Sequence, residues 1–351
     1  MEIFRLLGEH DHEQLVYCYE PAANYKGVIA IHDTTLGPAL GGTRIWEYRS
    51  EAEAVIDALR LSRGMTYKAA VAGLTLGGGK SVILAPSGEF DREALFRAHG
   101  RFVESLGGRY ITAEDVGTSP IDMDYVHMET SHVVGLQGKS GDPSPVTAYG
   151  VYAGMKACAK EVFGDDSLKN RSVAVQGAGH VGYYLCRHLA DEGARVVITD
   201  IDKAKVQKVV DEFAAKAVAP EAIYAANADI FAPCALGAVV NDDTLTQFKC
   251  KIVAGGANNV LAEERHGDAL EKMGILYAPD YVINAGGLIN VNAELVGWPP
   301  ERAKAKAGDI YDTLLRVFAI AKREKIPTYR AADRLGEKRI ESVRRLKKIW
   351  T

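Results

Sequence analysis

The sequence predicts an α/β protein of two domains, the second built on a doubly wound parallel sheet. Three observations support this prediction. The chain has 351 residues, of which 47% are hydrophobic and 25% are charged, as expected for two globular domains. From Ser172 onward, short apolar strands alternate with amphipathic helices, the pattern of βαβ units. A stretch rich in Gly, Pro and Ser, residues 135–147, separates this region from an earlier group of elements.

Apolar runs and helical periodicity assign the elements in chain order. The predicted strands are 28–32, 82–84, 110–112, 172–176, 195–200, 230–232 and 252–254. The predicted helices are 52–63, 92–106, 149–163, 183–191, 203–213, 301–325 and 329–348. We therefore expect a first domain of residues 1–134, a hinge of residues 135–144 and a second domain of residues 145–327. A C-terminal helix, residues 328–351, is expected to complete the first domain.

Composition argues against several classes of function. The net charge of -4 gives no general attraction to nucleic acid or to an anionic membrane, and the basic run 334–348 is interpreted as one solvated helix face. The five cysteines are scattered and include no CxxC pair, which favours a reducing, cytoplasmic setting. No signal peptide and no membrane span are expected. The segment 9–13, EHDHE, is interpreted as an exposed turn, and no metal site is predicted.

A glycine-rich turn predicts a dinucleotide site. The segment SVAVQGAGHVG supplies Gly177, Gly179 and Gly182 in GxGxxG spacing, between an apolar strand and a helix. Phosphates bind at such a helix N-terminus because its amides point toward them. Asp200 follows at the end of the next strand, where a carboxylate accepts the ribose hydroxyls and repels a 2′-phosphate. These residues favour NAD over NADP.

A second glycine run, LGGGKSVIL, precedes Lys80. A phosphate loop, GxxxxGK[ST], would need glycine at position 74, where Leu74 stands, and a surface lysine after a flexible turn is the plainer alternative. A second lysine, Lys68, and the acidic pair Glu114 and Asp115 lie nearby in the chain. Two amines and a carboxylate, with a dinucleotide site elsewhere, suggest dehydrogenation of a small anionic substrate.

Long segments of the chain resemble one enzyme family. They are IAIHDTTLGPALGGTR, ALRLSRGMTYKAAVAGLTLGGGKSVI, YITAEDVGT, IFAPCALGAVVND and YAPDYVINAGGLINV. The chain is similar over nearly its whole length to the amino-acid dehydrogenases of glutamate, leucine, phenylalanine and valine, and among these to the bacterial leucine enzymes. The resemblance implies an N-terminal domain for substrate binding and oligomerisation and a Rossmann-type NAD domain. It implies reversible oxidative deamination of an L-amino acid to its 2-oxo acid and ammonia, by a homo-oligomer.

The resemblance also implies roles for individual residues. Lys80 and Asp115 are expected to be catalytic, Lys80 activating water and Asp115 exchanging protons with the amino group. Lys68 is expected to hold the substrate carboxylate. The other expected substrate-binding residues are Leu40, Gly41, Gly77, Gly78, Ala113, Asn284, Leu288 and Val291. The expected cofactor-binding residues are Thr147, Gly177, Gly179, His180, Val181, Gly182, Asp200, Cys234, Ala235 and Asn258. Gly77 and Gly78 are interpreted as bare backbone that lies against the substrate, because any side chain at these positions would occupy the substrate's place.

Substrate preference is less sharply determined. The expected pocket residues carry no charge, so glutamate fits poorly. Ala113 resembles the leucine-type enzymes, whereas Leu288 resembles the aromatic type, which leaves leucine, valine and isoleucine as first choice and phenylalanine as second. Two alternatives outside the family are a 2-hydroxy-acid dehydrogenase and an NAD-sensing protein without activity. The first would want a histidine–carboxylate pair, and the second conflicts with the presence of Lys80, Lys68 and Asp115.

Overall fold

The structure is a computed structural model that describes residues 2–138 and 141–348. It divides into two compact units. The first contains residues 1–141, 294–297 and 336–351, and the second contains residues 142–293 and 298–335. Residues 139–140 of the predicted hinge and residues 349–351 of the predicted C-terminal helix lie outside the described residues. No helix among the described residues is both long and apolar enough to cross a lipid bilayer.

The first unit is built on one mixed sheet of five strands. These are β1 (Gln14–Glu20), β2 (Tyr25–Asp33), β3 (Ala39–Trp46), β4 (Gly77–Leu84) and β5 (Tyr110–Glu114). Their spatial order is β1-β2-β4-β3-β5. Strand β2 is antiparallel to β1 and β4, whereas β3 is parallel to β4 and β5. The carboxyl ends of β3, β4 and β5 therefore lie at the same edge of the sheet.

Helices cover both faces of this sheet. They are α1 (Ile3–Glu9), α2 (Glu51–Val71), α3 (Arg92–Glu104) and α4 (Pro120–His127). Ser50 caps the N-terminus of α2, since its side chain accepts a hydrogen bond from the backbone of Glu53. The apolar face of α2 packs on β2 and β4. Helices α3 and α4 bury Phe96 and Met123 against the opposite face. The central strand β4 is consequently covered on both sides.

The glycine run before Lys80 is a strand and not a turn. Gly77, Gly78 and Gly79 are the first three residues of β4, and all three are buried. The predicted strand began only at Val82, because glycines give no alternation of side chains to read. Lys80 is therefore in the middle of the first unit's sheet, although the sequence alone was also compatible with a surface lysine.

The second unit contains a parallel sheet, as predicted. Its strands are β6 (Ser172–Gln176), β7 (Arg195–Thr199), β8 (Lys216–Ala217), β9 (Ile230–Pro233), β10 (Ile252–Val253) and β11 (Leu276–Tyr277). They lie in the order β11-β10-β9-β6-β7-β8, and every neighbouring pair is parallel. The order reverses next to β6, so the carboxyl end of β6 is the switch point at which doubly wound folds bind ligands.

The remaining helices precede, alternate with or follow the strands of this sheet along the chain. They are α5 (Ser144–Phe163), α6 (His180–Glu192), α7 (Lys203–Phe213), α8 (Asp242–Leu245), α9 (Glu264–Lys272), α10 (Asp280–Ile283), α11 (Gly286–Val296), α12 (Pro300–Gly308), α13 (Ile310–Glu324) and α14 (Thr328–Arg344). The prediction of one helix over 301–325 is wrong, because the helix is interrupted between α12 and α13. Gly308 and Asp309 stand at the break, and both residue types are poor helix formers.

Candidate active site

Strand register places three charged side chains on one face of the first sheet. Lys80 lies on β4 two residues before Val82, and Val82 is the direct partner of Arg44 on β3. Thr43 is the partner of Glu114 on β5, so Arg44 and Asp115 lie next to each other at the following position. Residues two apart on a strand share a face. Lys80, Arg44 and Asp115 therefore all project toward helix α2.

Lys80 and Asp115 form a close ion pair. The Lys80 Nζ donates to Asp115 Oδ2 at 2.6 Å. The Lys80 side chain is 5% exposed, whereas the Asp115 side chain is 27% exposed. The amine is thus removed from water, while the carboxylate keeps one side open. The predicted catalytic pair is in direct contact.

Burial and charge move the pKa values of both groups. Burial lowers the pKa of the Lys80 amine below its ordinary value, although Asp115 opposes this change. Burial alone would raise the pKa of the Asp115 carboxyl, but Lys80 and Arg44 outweigh burial and hold it below its ordinary value. The site therefore combines an ionised carboxylate with an amine that gives up its proton more readily than a surface lysine.

Arg44 belongs to the same site, although sequence analysis did not select it. Its Nε donates to Asp115 Oδ2 at 3.0 Å, and its Nη1 donates to Asp57 Oδ2 at 2.9 Å. The contact with Asp115 spans 71 residues of chain, so proximity in the sequence could not reveal it. The available signal was an arginine within an otherwise small or apolar run, GGTRIW.

The non-glycine substrate-binding candidates of the first unit lie on α2, β3 and β5. Lys68 is in the last turn of α2 and is partly buried. Leu40, on β3, is 2% exposed and pairs with Gly78 and with Ile111. Ala113, on β5, is 8% exposed. The two apolar candidates are buried residues of neighbouring strands.

The explanation offered for Gly77 and Gly78 is wrong. A Cβ at Gly77 would collide with the carbonyl oxygen of Asp33, and one at Gly78 would collide with the backbone nitrogen of Thr66. At Gly41 the obstacle is the carbonyl oxygen of Gly79. These glycines are needed because strands and helix α2 approach closely, not because a side chain would enter the substrate's place.

In the second unit, the glycine-rich turn has the geometry of a dinucleotide fingerprint. Gly177 has φ +109°, a conformation that favours glycine, and a Cβ there would press on Cys234 and Ala235. A Cβ at Gly182 would collide with the carbonyl oxygen of Gly177, so this glycine allows close packing of α6. A Cβ at Gly179 would meet nothing, because Gly179 faces open space at the N-terminus of α6. The first and last glycines shape the turn, and the middle one leaves room for a phosphate.

Polar side chains surround this turn. Asp200 Oδ2 accepts a hydrogen bond from the backbone of Ala178 at 2.7 Å, so the carboxylate is anchored to the turn itself. His180, the first residue of α6, is exposed, and its Nδ1 lies 3.0 Å from Asp142 Oδ2. Val181 follows on the same helix and packs beside Gly256.

Two asparagines of the second unit meet near the carboxyl ends of the strands. Asn284 Nδ2 donates to Asn258 Oδ1 at 2.7 Å and to the carbonyl oxygen of Ala257 at 3.1 Å. Asn284 is 3% exposed, and its buried Oδ1 has no hydrogen-bond partner among the described residues. An orphaned buried acceptor points to a donor from a ligand, because leaving it unpaired costs free energy.

The remaining candidates lie on α5, directly after β9 and on α11. The Thr147 hydroxyl donates to the carbonyl oxygen of Pro143 at 2.9 Å and keeps lone pairs to accept another bond. Burial raises the pKa of the Cys234 thiol to about 11, so this residue is not a thiolate at neutral pH. Leu288 is buried and Val291 is partly exposed, both on α11. Together with the glycine turn, the residues of this unit fit a dinucleotide.

The segment 9–13 is not simply an exposed turn. His12 is 8% exposed, and its Nε2 hydrogen-bonds the carbonyl oxygen of Leu59 at 2.9 Å. The sequence pattern missed this burial because the flanking residues are polar and exposed. His12 is therefore a structural residue of the first unit.

Comparison with known proteins gives consistent matches over the whole chain. Residues 12–132 match the family described as Glu/Leu/Phe/Val dehydrogenase, dimerisation domain, and residues 138–203 and 198–346 match the family described as Glutamate/Leucine/Phenylalanine/Valine dehydrogenase. Leucine dehydrogenase of Geobacillus stearothermophilus is 59% identical over 98% of this chain and 95% of its own. Valine dehydrogenase of Streptomyces coelicolor is 50% identical over 95% of this chain and 93% of its own. The crystal structure of L-tryptophan dehydrogenase from Nostoc punctiforme superposes with a TM-score of 0.89 and 47% sequence identity, over 97% of this chain and 99% of its own.

Proposed function

Because the chain belongs to the glutamate, leucine, phenylalanine and valine dehydrogenase family, we propose that it catalyses the NAD-dependent, reversible oxidative deamination of a branched-chain L-amino acid. The products are the 2-oxo acid and ammonia. The observation that carries the proposal is the buried ion pair of Lys80 and Asp115, at 2.6 Å. A 2-hydroxy-acid dehydrogenase or an inactive NAD-sensing protein has no need for such a pair.

Lys80 and Asp115 divide the proton chemistry in this proposal. Loss of a hydride from the substrate's α-carbon to the cofactor would leave an imine, and the neutral amine of Lys80 accepts a proton from the water that adds to the imine carbon. The lowered pKa of Lys80 makes this possible at moderate pH. Asp115 exchanges protons with the leaving amino group, and its lowered pKa keeps it ionised for that task. Lys68 holds the substrate carboxylate as a point charge.

The second unit is proposed to bind NAD. Gly177, Gly179 and Gly182 would take the pyrophosphate at the N-terminus of α6, with His180, Val181, Cys234 and Ala235 around it. Thr147, Asn258 and Asn284 would hold the nicotinamide end, where the orphaned Asn284 Oδ1 needs a donor. The cofactor, when bound, supplies the hydride acceptor. Asp200 favours NAD over NADP by its charge.

The substrate's side chain is proposed to be a branched aliphatic group. Leu40, Ala113 and Leu288 are buried apolar residues and Val291 is a partly buried one, and none of them could pair with the second carboxylate of glutamate. Relatives named for leucine are 58–59% identical to the chain, and the relative named for valine is 50% identical. Phenylalanine stays the second candidate because Leu288 resembles the aromatic-type enzymes.

The assembly and its setting complete the proposal. The first unit matches a dimerisation domain, which supports a homo-oligomer formed through that unit. The five cysteines are unpaired, which supports a cytoplasmic setting.

The experiment is a substrate panel. We expect NADH formation from L-leucine, L-valine and L-isoleucine at alkaline pH, with slower turnover of L-phenylalanine and none of L-glutamate or 2-hydroxyisocaproate. The same panel with NADP should be at least about tenfold slower. Absence of turnover with every amino acid would refute the proposal, and turnover of only the hydroxy acid would replace it.

A further inference from the structure

The two oxygens of the Asp115 carboxylate are used unequally. Lys80 Nζ and Arg44 Nε both donate to Oδ2, at 2.6 Å and 3.0 Å. Oδ1 has no hydrogen-bond partner within residues 2–138 and 141–348, although the side chain is 27% exposed. Oδ2 of Asp115 thus accepts from two cations, whereas Oδ1 remains available to accept a hydrogen bond.

Arg44 is itself held from the other side. Its Nη1 donates to Asp57 Oδ2 at 2.9 Å, and the Tyr48 hydroxyl donates to the same oxygen at 2.7 Å. Arg60 donates to the second oxygen of Asp57 at 3.0 Å. The Arg44 side chain is 21% exposed and that of Asp57 is 16% exposed, so both ends of the guanidinium are fixed within the fold. A lysine could not make these two contacts at once, because its charge is a single point.

The positive charge of Arg44 lowers the pKa values of both Asp115 and Lys80. Arg44 favours the ionised form of Asp115 and disfavours the protonated form of Lys80. Asp57 from α2 also acts on the charge of Lys80, and Glu114 and Tyr110 of β5 lie within electrostatic range of Asp115. Removal of Arg44 leaves those groups in place and takes away one positive charge.

We propose that Arg44 is a positioning residue for the deamination: it secures Oδ2 of Asp115 beside Lys80, so that Oδ1 is the oxygen that exchanges protons with the substrate's amino group. This inference rests on the proposed function and assigns to Arg44 a role that acts through Asp115 rather than on the substrate. Asp57 and Tyr48 support Arg44 in that role.

The test is the pH profile of kcat/KM for L-leucine with NAD, measured for the wild type, Arg44→Gln and Arg44→Lys. In Arg44→Gln the acid limb should move to higher pH by about one unit, because the pKa values of both Asp115 and Lys80 rise when the cation is lost. Arg44→Lys keeps the positive charge but cannot contact Asp115 and Asp57 at the same time. Its limb should stay near the wild-type position while kcat falls, and its kcat/KM at neutral pH should exceed that of Arg44→Gln.

A matched control is Arg92→Gln, which removes another arginine–aspartate pair of the same unit. Arg92 donates to Asp122 at 2.6 Å and 2.9 Å, and Asp122 is buried. This variant should melt at a lower temperature with an unmoved pH profile. An unmoved limb in Arg44→Gln, or wild-type kcat in Arg44→Lys, would overturn the inference; the lysine variant alone decides if the glutamine variant does not fold. Failure of the wild type to oxidise any amino acid would instead overturn the proposed function, and this inference with it.

Discussion

Lys80 is the residue on which the chemistry depends. A buried amine without a partner would be driven neutral, and one with a fully buried partner would be locked as an ion. Here the amine is 5% exposed and the carboxylate is 27% exposed, so the pair keeps one side from which protons can be exchanged. Burial lowers the pKa of Lys80, with a smaller contribution from Arg44, whereas Lys80 and Arg44 together lower the pKa of Asp115.

One residue-scale prediction concerns Asp200. Asp200→Asn keeps an oxygen that accepts from the backbone of Ala178 but removes the negative charge. The ratio of kcat/KM for NADP to that for NAD should rise about tenfold, because a like-charge repulsion of about 1.4 kcal/mol disappears. Steady-state kinetics with both cofactors measures this ratio.

Asp202→Asn is the control for this change. Asp202 caps α7 two residues later, and asparagine caps a helix equally well. Its cofactor ratio should stay at the wild-type value. An unchanged ratio in Asp200→Asn would remove Asp200 from the proposed ribose contact.

At the scale of elements, β4 and α2 approach each other so closely that glycine is required. Gly78→Ala should lower the free energy of unfolding by at least about 2 kcal/mol, since the new Cβ collides with the backbone of Thr66 on α2. Gly64→Ala, on the same helix, should raise it by about 0.5–1 kcal/mol, because Gly64 is exposed and a Cβ there meets nothing.

Denaturant unfolding of both variants measures the difference. Equal stability of Gly78→Ala and the wild type would show that the two elements can separate without cost. A loss of stability in Gly64→Ala would show that this glycine serves a purpose other than flexibility.

Elements with their own local signals were predicted well. The bounds of β6 and α7 agree with the predicted ones residue for residue, since α7 has a periodic apolar face and a capping aspartate, Asp202. Strand β3 and the start of β4 were missed, because glycine has no side chain to alternate and their pairing comes from distant parts of the chain. The same reason hid Arg44, whereas Lys80 and Asp115 could be chosen from motifs.

At the scale of the whole molecule, buried histidines predict sensitivity to acid. Burial lowers the pKa of His32 to about 4 and that of His99 to about 3, from 6.5 in each case. Between pH 6.5 and these values the unfolded chain binds more protons than the folded one, so stability falls as the pH falls. From pH 7 to pH 5 each histidine should cost about 2 kcal/mol of unfolding free energy.

Urea unfolding at these two pH values tests the prediction. His32→Gln can still accept from Thr66 and donate to the carbonyl oxygen of His10, which His32 contacts at 2.8 Å and 3.0 Å. This variant should lose about 2 kcal/mol of the change in unfolding free energy between pH 7 and pH 5. The same slope in the variant and the wild type would mean that folding does not lower the pKa of His32.

The most direct test of the central claim is steady-state oxidation of L-leucine by the wild type and by Lys80→Ala. The account predicts that loss of the amine slows NADH formation by about a thousandfold or more, while the affinity for NADH stays within about twofold. Turnover by Lys80→Ala within about tenfold of the wild type would contradict the claim that this buried amine activates the attacking water.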